Sequence, residues 1–151
     1  MPLSRLKALA VDAFPASTER PRIFAELERL AADIEAHRLI GELWVDGSFL
    51  TQKVTPEPDD IDVSFTIDVA NLDNKDAATQ YFVIHTLNGG NKYSALLDTY
   101  ICILFPGGDP RRAASMEQYW AEKWGIGWDD RLKGFAVIKF GESDVWLRLF
   151  A

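Results

Sequence analysis

The sequence predicts an α+β fold, a mixed β-sheet with helices packed mainly on one face. Three observations carry this. Residues 19–37 repeat apolar side chains at helical spacing. Residues 42–46, 61–67, 96–105, 135–140 and 145–150 are short runs rich in β-branched and aromatic residues. Helical and strand-like runs interleave with no internal repeat or low-complexity linker, so the 151 residues read as one domain.

The elements follow in order. Leu6 to Phe14 is apolar and ends at Pro15. Thr18-Glu19-Arg20-Pro21 then offers a capping hydroxyl, an acidic first turn and an early proline, which together start a helix. In it Ile23, Leu27, Leu30 and Ile34 recur at steps of four, three and four, and Phe24 and Ala31 widen that face. Glu42 to Asp46 reads as a strand that Gly47-Ser48 breaks. Phe49 to Gln52 forms a brief helical turn, and Val54 to Asp59, with two prolines, a loop. Ile61 to Ile67 alternates and forms a second strand. Lys75 to Leu87 is a helix with Tyr81, Ile84 and Ala77 inward, stopped by Asn88-Gly89-Gly90-Asn91. Leu96 to Phe105 is the most β-like run. Arg111 to Trp124 reads as a helix, and Phe135–Phe140 and Val145–Phe150 as a hairpin.

Composition narrows the partners. Hydrophobic residues make up 48% and charged residues 26%, the balance of a globular domain. Sixteen basic against 23 acidic residues leave a net charge of -7, the wrong sign for gripping long DNA or RNA by its phosphates. A small anionic ligand neutralised by a metal remains compatible. No apolar run approaches the roughly 18 to 20 residues of a membrane helix, and Met1 to Lys7 lacks a signal peptide's features. The expected location is the cytoplasm, with no membrane partner. Cys102 stands alone, so no internal disulfide forms, and with only two histidines no zinc site is expected.

Asp60 and Asp62 carry the chemistry. Residues i and i+2 of a strand point to one side. Two carboxylates about 5 to 7 Å apart repel by on the order of 2 to 3 kcal/mol at an effective dielectric near 20. A divalent cation offsets that cost, since Mg²⁺ takes hard oxygen ligands together with substrate phosphates. The alternative is a plain surface pair. Gly47-Ser48, at the end of the preceding strand, offers backbone N–H groups and a hydroxyl to phosphate oxygens, or else is a simple tight turn. Thr51 and Lys53 fall near the same mouth.

Gly47-Ser48, eleven intervening residues and Asp60-Ile61-Asp62-Val63 resemble the signature of the DNA polymerase β-like nucleotidyltransferase superfamily. Asp46-Gly47-Ser48-Phe49, Lys53 and Pro58-Asp59-Asp60-Ile61-Asp62 are similar to small bacterial nucleotidyltransferase-like proteins. The resemblance implies a third carboxylate on a later strand beside the first two. Asp98 matches it best; Asp73 and Asp109 lie in loops. It implies that Asp60, Asp62 and Asp98 are both catalytic and metal-binding, holding Mg²⁺ or Mn²⁺. Gly47 and Ser48, with Thr51 and Lys53 nearby, would hold the phosphates of a nucleoside triphosphate. A hydroxyl of a protein or RNA acceptor would attack the α-phosphorus and pyrophosphate would leave. It further implies a place in a toxin–antitoxin or phage-defence system. Two other readings stay open: an inactive nucleotidyltransferase-like module or antitoxin-type partner protein, and an α+β protein whose aspartates are incidental.

Overall fold

The computed structural model describes residues 1–46, 48–50, 56–114 and 135–145. Helix α1 (Leu3–Lys7) continues into a π-helical turn over Ala8–Asp12. Helix α2 (Glu19–Ala36) follows, then strand β1 (Gly41–Asp46), a 3-10 turn (Ser48–Leu50) and β2 (Ile61–Asp68). Two short helices, α3 (Ala70–Asp73) and α4 (Ala77–Tyr81), lead through a π-helical turn (Phe82–Thr86) to β3 (Leu97–Leu104). A 3-10 turn (Pro110–Ala114) and β4 (Ala136–Phe140) complete the described elements.

The strands form one mixed sheet in the order β3-β2-β1-β4. β2 runs parallel to β3, while β1 is antiparallel to both β2 and β4. The α+β class expected from the sequence is what the chain adopts. Alternation sorts the strand residues onto two faces. Leu43, Val45, Ile61, Val63, Phe65, Ile67, Leu97, Ala136, Ile138 and Phe140 join Ile23, Leu27, Leu30 and Ile34 of α2 in the main core. Those four helix residues are fully buried, each contributing about 1.5 to 3 kcal/mol of apolar burial. The opposite face carries a smaller apolar cluster of Trp44, Cys102, Leu104 and Val145.

Gly41 is fixed by space. A Cβ there would lie 2.6 Å from the Thr66 carbonyl oxygen and 2.8 Å from the Phe65 ring, where no side chain fits. Arg20 departs from the usual fate of a charged first-turn residue. It is 1% exposed, and its Nη1 donates to the carbonyls of Ala10 (2.8 Å) and Phe49 (2.6 Å). Its guanidinium also lies 3.8 Å over the Phe14 ring. One side chain thereby ties the N-terminal layer to the turn after β1. Burial lowers the Arg20 pKa, and the Glu57 charge partly opposes that shift.

Several expectations are corrected. The Thr18 hydroxyl does not cap α2; Ser17 Oγ accepts from the Arg20 N–H instead, while Thr18 donates both its N–H and its hydroxyl to Glu57. Tyr81, Ile84 and Ala77 do not face inward. Tyr81 and Ile84 are 63% and 37% exposed, Ala77 is exposed as well, and Thr79, Val83 and Leu87 are buried in their place. The buried stripe runs through Thr79, Val83 and Leu87 at steps of four, a face that leaves Tyr81, in α4, and Ile84, in the π-helical turn, pointing outward. Strand β4 has β1 as its described neighbour. Val145, the first residue of the expected second hairpin arm, is helical; the rest of that arm, and most of the expected helix with Trp120 and Trp124, lie outside the described residues.

Candidate functional site

The end of the sheet nearest the β1–β2 connection gathers the acidic residues. β1 and β2 pair so that Asp46 stands opposite Asp62, and β2 and β3 pair so that Asp62 stands opposite Asp98. Residues paired across neighbouring strands share a face, about 4.8 Å apart along the hydrogen-bonding direction. One row therefore crosses three strands as Asp46, Asp62 and Asp98. Asp60 immediately precedes β2, two residues before Asp62. All four are half-buried, whereas Asp59 is exposed.

Electrostatics places Asp60 in the group. Its pKa is pushed above the usual aspartate value, first by burial, then by the charge of Asp98 and then by that of Asp59. Tyr100, two residues after Asp98 on β3, donates its hydroxyl to Asp98 Oδ2 at 2.6 Å. Its pKa is pushed well above the ordinary tyrosine range, first by that hydrogen bond, then by burial, and then by the charges of Asp98, Asp62 and Asp60. All three expected carboxylates thus act on a single phenol.

The next row along the same face is Trp44, Ser64 and Tyr100. Ser64 is 1% exposed, and its Oγ has no hydrogen-bond partner among the described residues. A buried hydroxyl left unpaired costs about 1 to 3 kcal/mol, so it marks a position that a polar ligand or water would satisfy. One row further lies Glu42, fully buried, which accepts from Trp44 Nε1 at 3.0 Å and from Ser143 Oγ at 3.3 Å.

In donor type alone the set suits a hard divalent cation: carboxylate oxygens on adjoining strands beside a hydroxyl with no hydrogen-bond partner among the described residues. Among the described residues, no three His, Cys, Asp or Glu side chains stand close enough together to enclose an ion. Of the expected phosphate-binding residues, Gly47, Thr51 and Lys53 lie outside the described residues, and only the backbone of Ser48 is described, at the start of the 3-10 turn. A cavity of about 410 Å³ lined by Phe14, Ser17, Arg20 and Glu57, among others, includes none of the aspartates.

Sequence reasoning brought Asp60, Asp62 and Asp98 forward and missed Asp46, Ser64 and Tyr100 as neighbours. For Ser64 and Tyr100 the signal was present: each lies two residues beyond a chosen aspartate on a strand, and so on its face. For Asp46 it was absent, because the pairing of β1 with β2 has no local sequence signature.

No helix among the described residues is long and apolar enough to cross a membrane. Neither a curated protein nor a solved structure matches the chain. One family model does match, over residues 3–139, and by that match the chain belongs to DUF6932, a family of unknown function.

Proposed function

We propose that the chain is a metal-dependent nucleotidyltransferase-like protein that moves a nucleoside monophosphate from a nucleoside triphosphate to a hydroxyl of a protein or RNA acceptor. The observation that supports this best is the pairing of Asp62 with Asp98 on parallel neighbouring strands, with the Asp60 carboxyl sensing Asp98. That pairing supports reading Asp98 as the third carboxylate that the resemblance implies.

In this reading Asp60, Asp62 and Asp98 hold Mg²⁺ or Mn²⁺. When bound, the ion would neutralise triphosphate oxygens and acidify the acceptor hydroxyl. The Asp60, Asp62 and Asp98 carboxylates contribute ligand oxygens, and Ser48 and its neighbours in the turn after β1 contribute phosphate contacts. Trp44, buried behind the acidic row, excludes water from that side. With a net charge of -7 to repel it, a long nucleic acid is a poor substrate; a metal-charged triphosphate is a suitable one.

The test combines binding with transfer. The full chain is incubated with α-phosphorus-labelled nucleoside triphosphates, Mg²⁺ or Mn²⁺, and RNA or protein extract as acceptor. Label on an acceptor, lost in Asp62→Ala, is the expected result. A rise in melting temperature with metal and triphosphate but no transfer would favour the inactive binding module. Neither transfer nor a rise would overturn the proposal.

A further inference from the structure

We propose that Tyr100 is a positioning residue for the cation site, orienting the Asp98 carboxylate through its hydroxyl; this rests on the metal-site reading above. The geometry is local. Tyr100 and Asp98 lie two apart on β3, so both project from the acidic face, and the phenol donates to Asp98 Oδ2 at 2.6 Å. That is an ordinary length for a hydroxyl bonded to a carboxylate, where one charged partner makes the bond strong and directional. With Oδ2 held, the carboxylate cannot spin freely about its last torsion, and Oδ1 is left for a cation shared with Asp62, which stands opposite Asp98 on β2.

Two buried side chains lie beside Tyr100 along its row. Its register neighbour on β2 is Ser64, buried and small, and beyond Ser64 on β1 lies Trp44, which is fully buried. Nothing about a purely structural tyrosine requires its hydroxyl to be directed at an acidic row. A phenylalanine would fill the same space. The hydroxyl therefore does something the ring does not: it donates to a candidate metal ligand. Groups that hydrogen-bond a ligating carboxylate set its orientation, and losing one typically costs about 10- to 100-fold in metal affinity.

The experiment titrates Mn²⁺ alone into the full chain and follows free Mn²⁺ by electron paramagnetic resonance, well below the melting temperature of every variant. Tyr100→Phe is expected to weaken Mn²⁺ binding by about 10- to 100-fold. In an Asp98→Asn background the same change is expected to alter nothing further, because the phenol acts through that carboxylate. Unchanged Mn²⁺ affinity in Tyr100→Phe would overturn the proposal and leave the metal site standing. So would an equal loss in the Asp98→Asn background. A wild-type chain that binds no Mn²⁺ would sink the site reading itself, and the role of Tyr100 with it.

Discussion

Replacing Asp62 with asparagine should make the metal-free protein more stable. Asp62 is the middle member of the row, with Asp46 opposite on one strand and Asp98 opposite on the other. Backbones about 4.8 Å apart let the carboxylates splay to about 6 Å. At that distance one like-charged pair costs about 0.7 kcal/mol in bulk water and about 2.8 kcal/mol at an effective dielectric of 20. Two pairs double this. Since the three side chains are only half-buried, the water end of the range governs, giving about 1.5 kcal/mol in total. Asparagine keeps the shape and removes the charge. The expected gain is about 3 to 6 °C in melting temperature, measured calorimetrically without divalent ions and in low salt. In about 1 M salt, where the screening length drops to about 3 Å, most of the gain should vanish. With saturating Mn²⁺ the order should reverse, since only the wild type gains binding energy. A metal-free Asp62→Asn protein less stable than wild type would refute the reasoning, because it would mean that the other interactions of the Asp62 carboxylate outweigh its repulsion by Asp46 and Asp98.

Two further predictions follow from the same structure. Burial and Asp98 raise the Asp60 pKa in the folded state, so the folded chain holds that proton more tightly than the unfolded one. This contribution is fully present below the ordinary aspartate value of about 3.9 and is lost as pH rises through the raised folded value. Relative to Asp60→Asn, the wild type should therefore lose stability with rising pH in that window and then level off; a pH-independent difference between the two melting curves would remove the coupling to Asp98. Gly41→Ala places a Cβ against the Thr66 carbonyl and the Phe65 ring, so urea unfolding should show a loss of about 1 to 3 kcal/mol, and no loss would mean that β1 and β2 can move apart there without cost.

The parts of this fold that sequence revealed are those fixed by short-range periodicity. Ile23, Leu27, Leu30 and Ile34 announce α2, because an α-helix repeats every 3.6 residues whatever lies beyond it. Ile61 to Ile67 announces β2 in the same way. Reasoning broke where two stripes of one helical segment were both plausible. Steps of four bury Thr79, Val83 and Leu87 and leave Tyr81 and Ile84 outward, in a segment that passes from α4 into a π-helical turn at Phe82. It broke again where two hydroxyls, Ser17 and Thr18, competed for one cap, because local chemistry does not rank neighbours whose partners come from elsewhere. Arg20 escaped for a related reason: its burial depends on Phe14 and Phe49, which the fold rather than the helix brings to it.

The candidate site follows the same division, and its position on the sheet explains how the chain tolerates it. Asp60 and Asp62 were legible as a pair on one strand, while their meeting with Asp98 and Asp46 depends on strand register. The face that packs against α2 is apolar apart from the buried Thr99 of β3, and it supplies most of the burial. The opposite face grades from Glu42, Thr66 and Cys102, all buried, through Trp44, Ser64 and Tyr100, to the half-buried aspartate row at its end. Charges at that end still reach water, so their repulsion stays near the screened value instead of the far larger cost of a dry interior. At the end of the sheet the row keeps its contact with water, and the Tyr100 hydroxyl holds the Asp98 carboxylate.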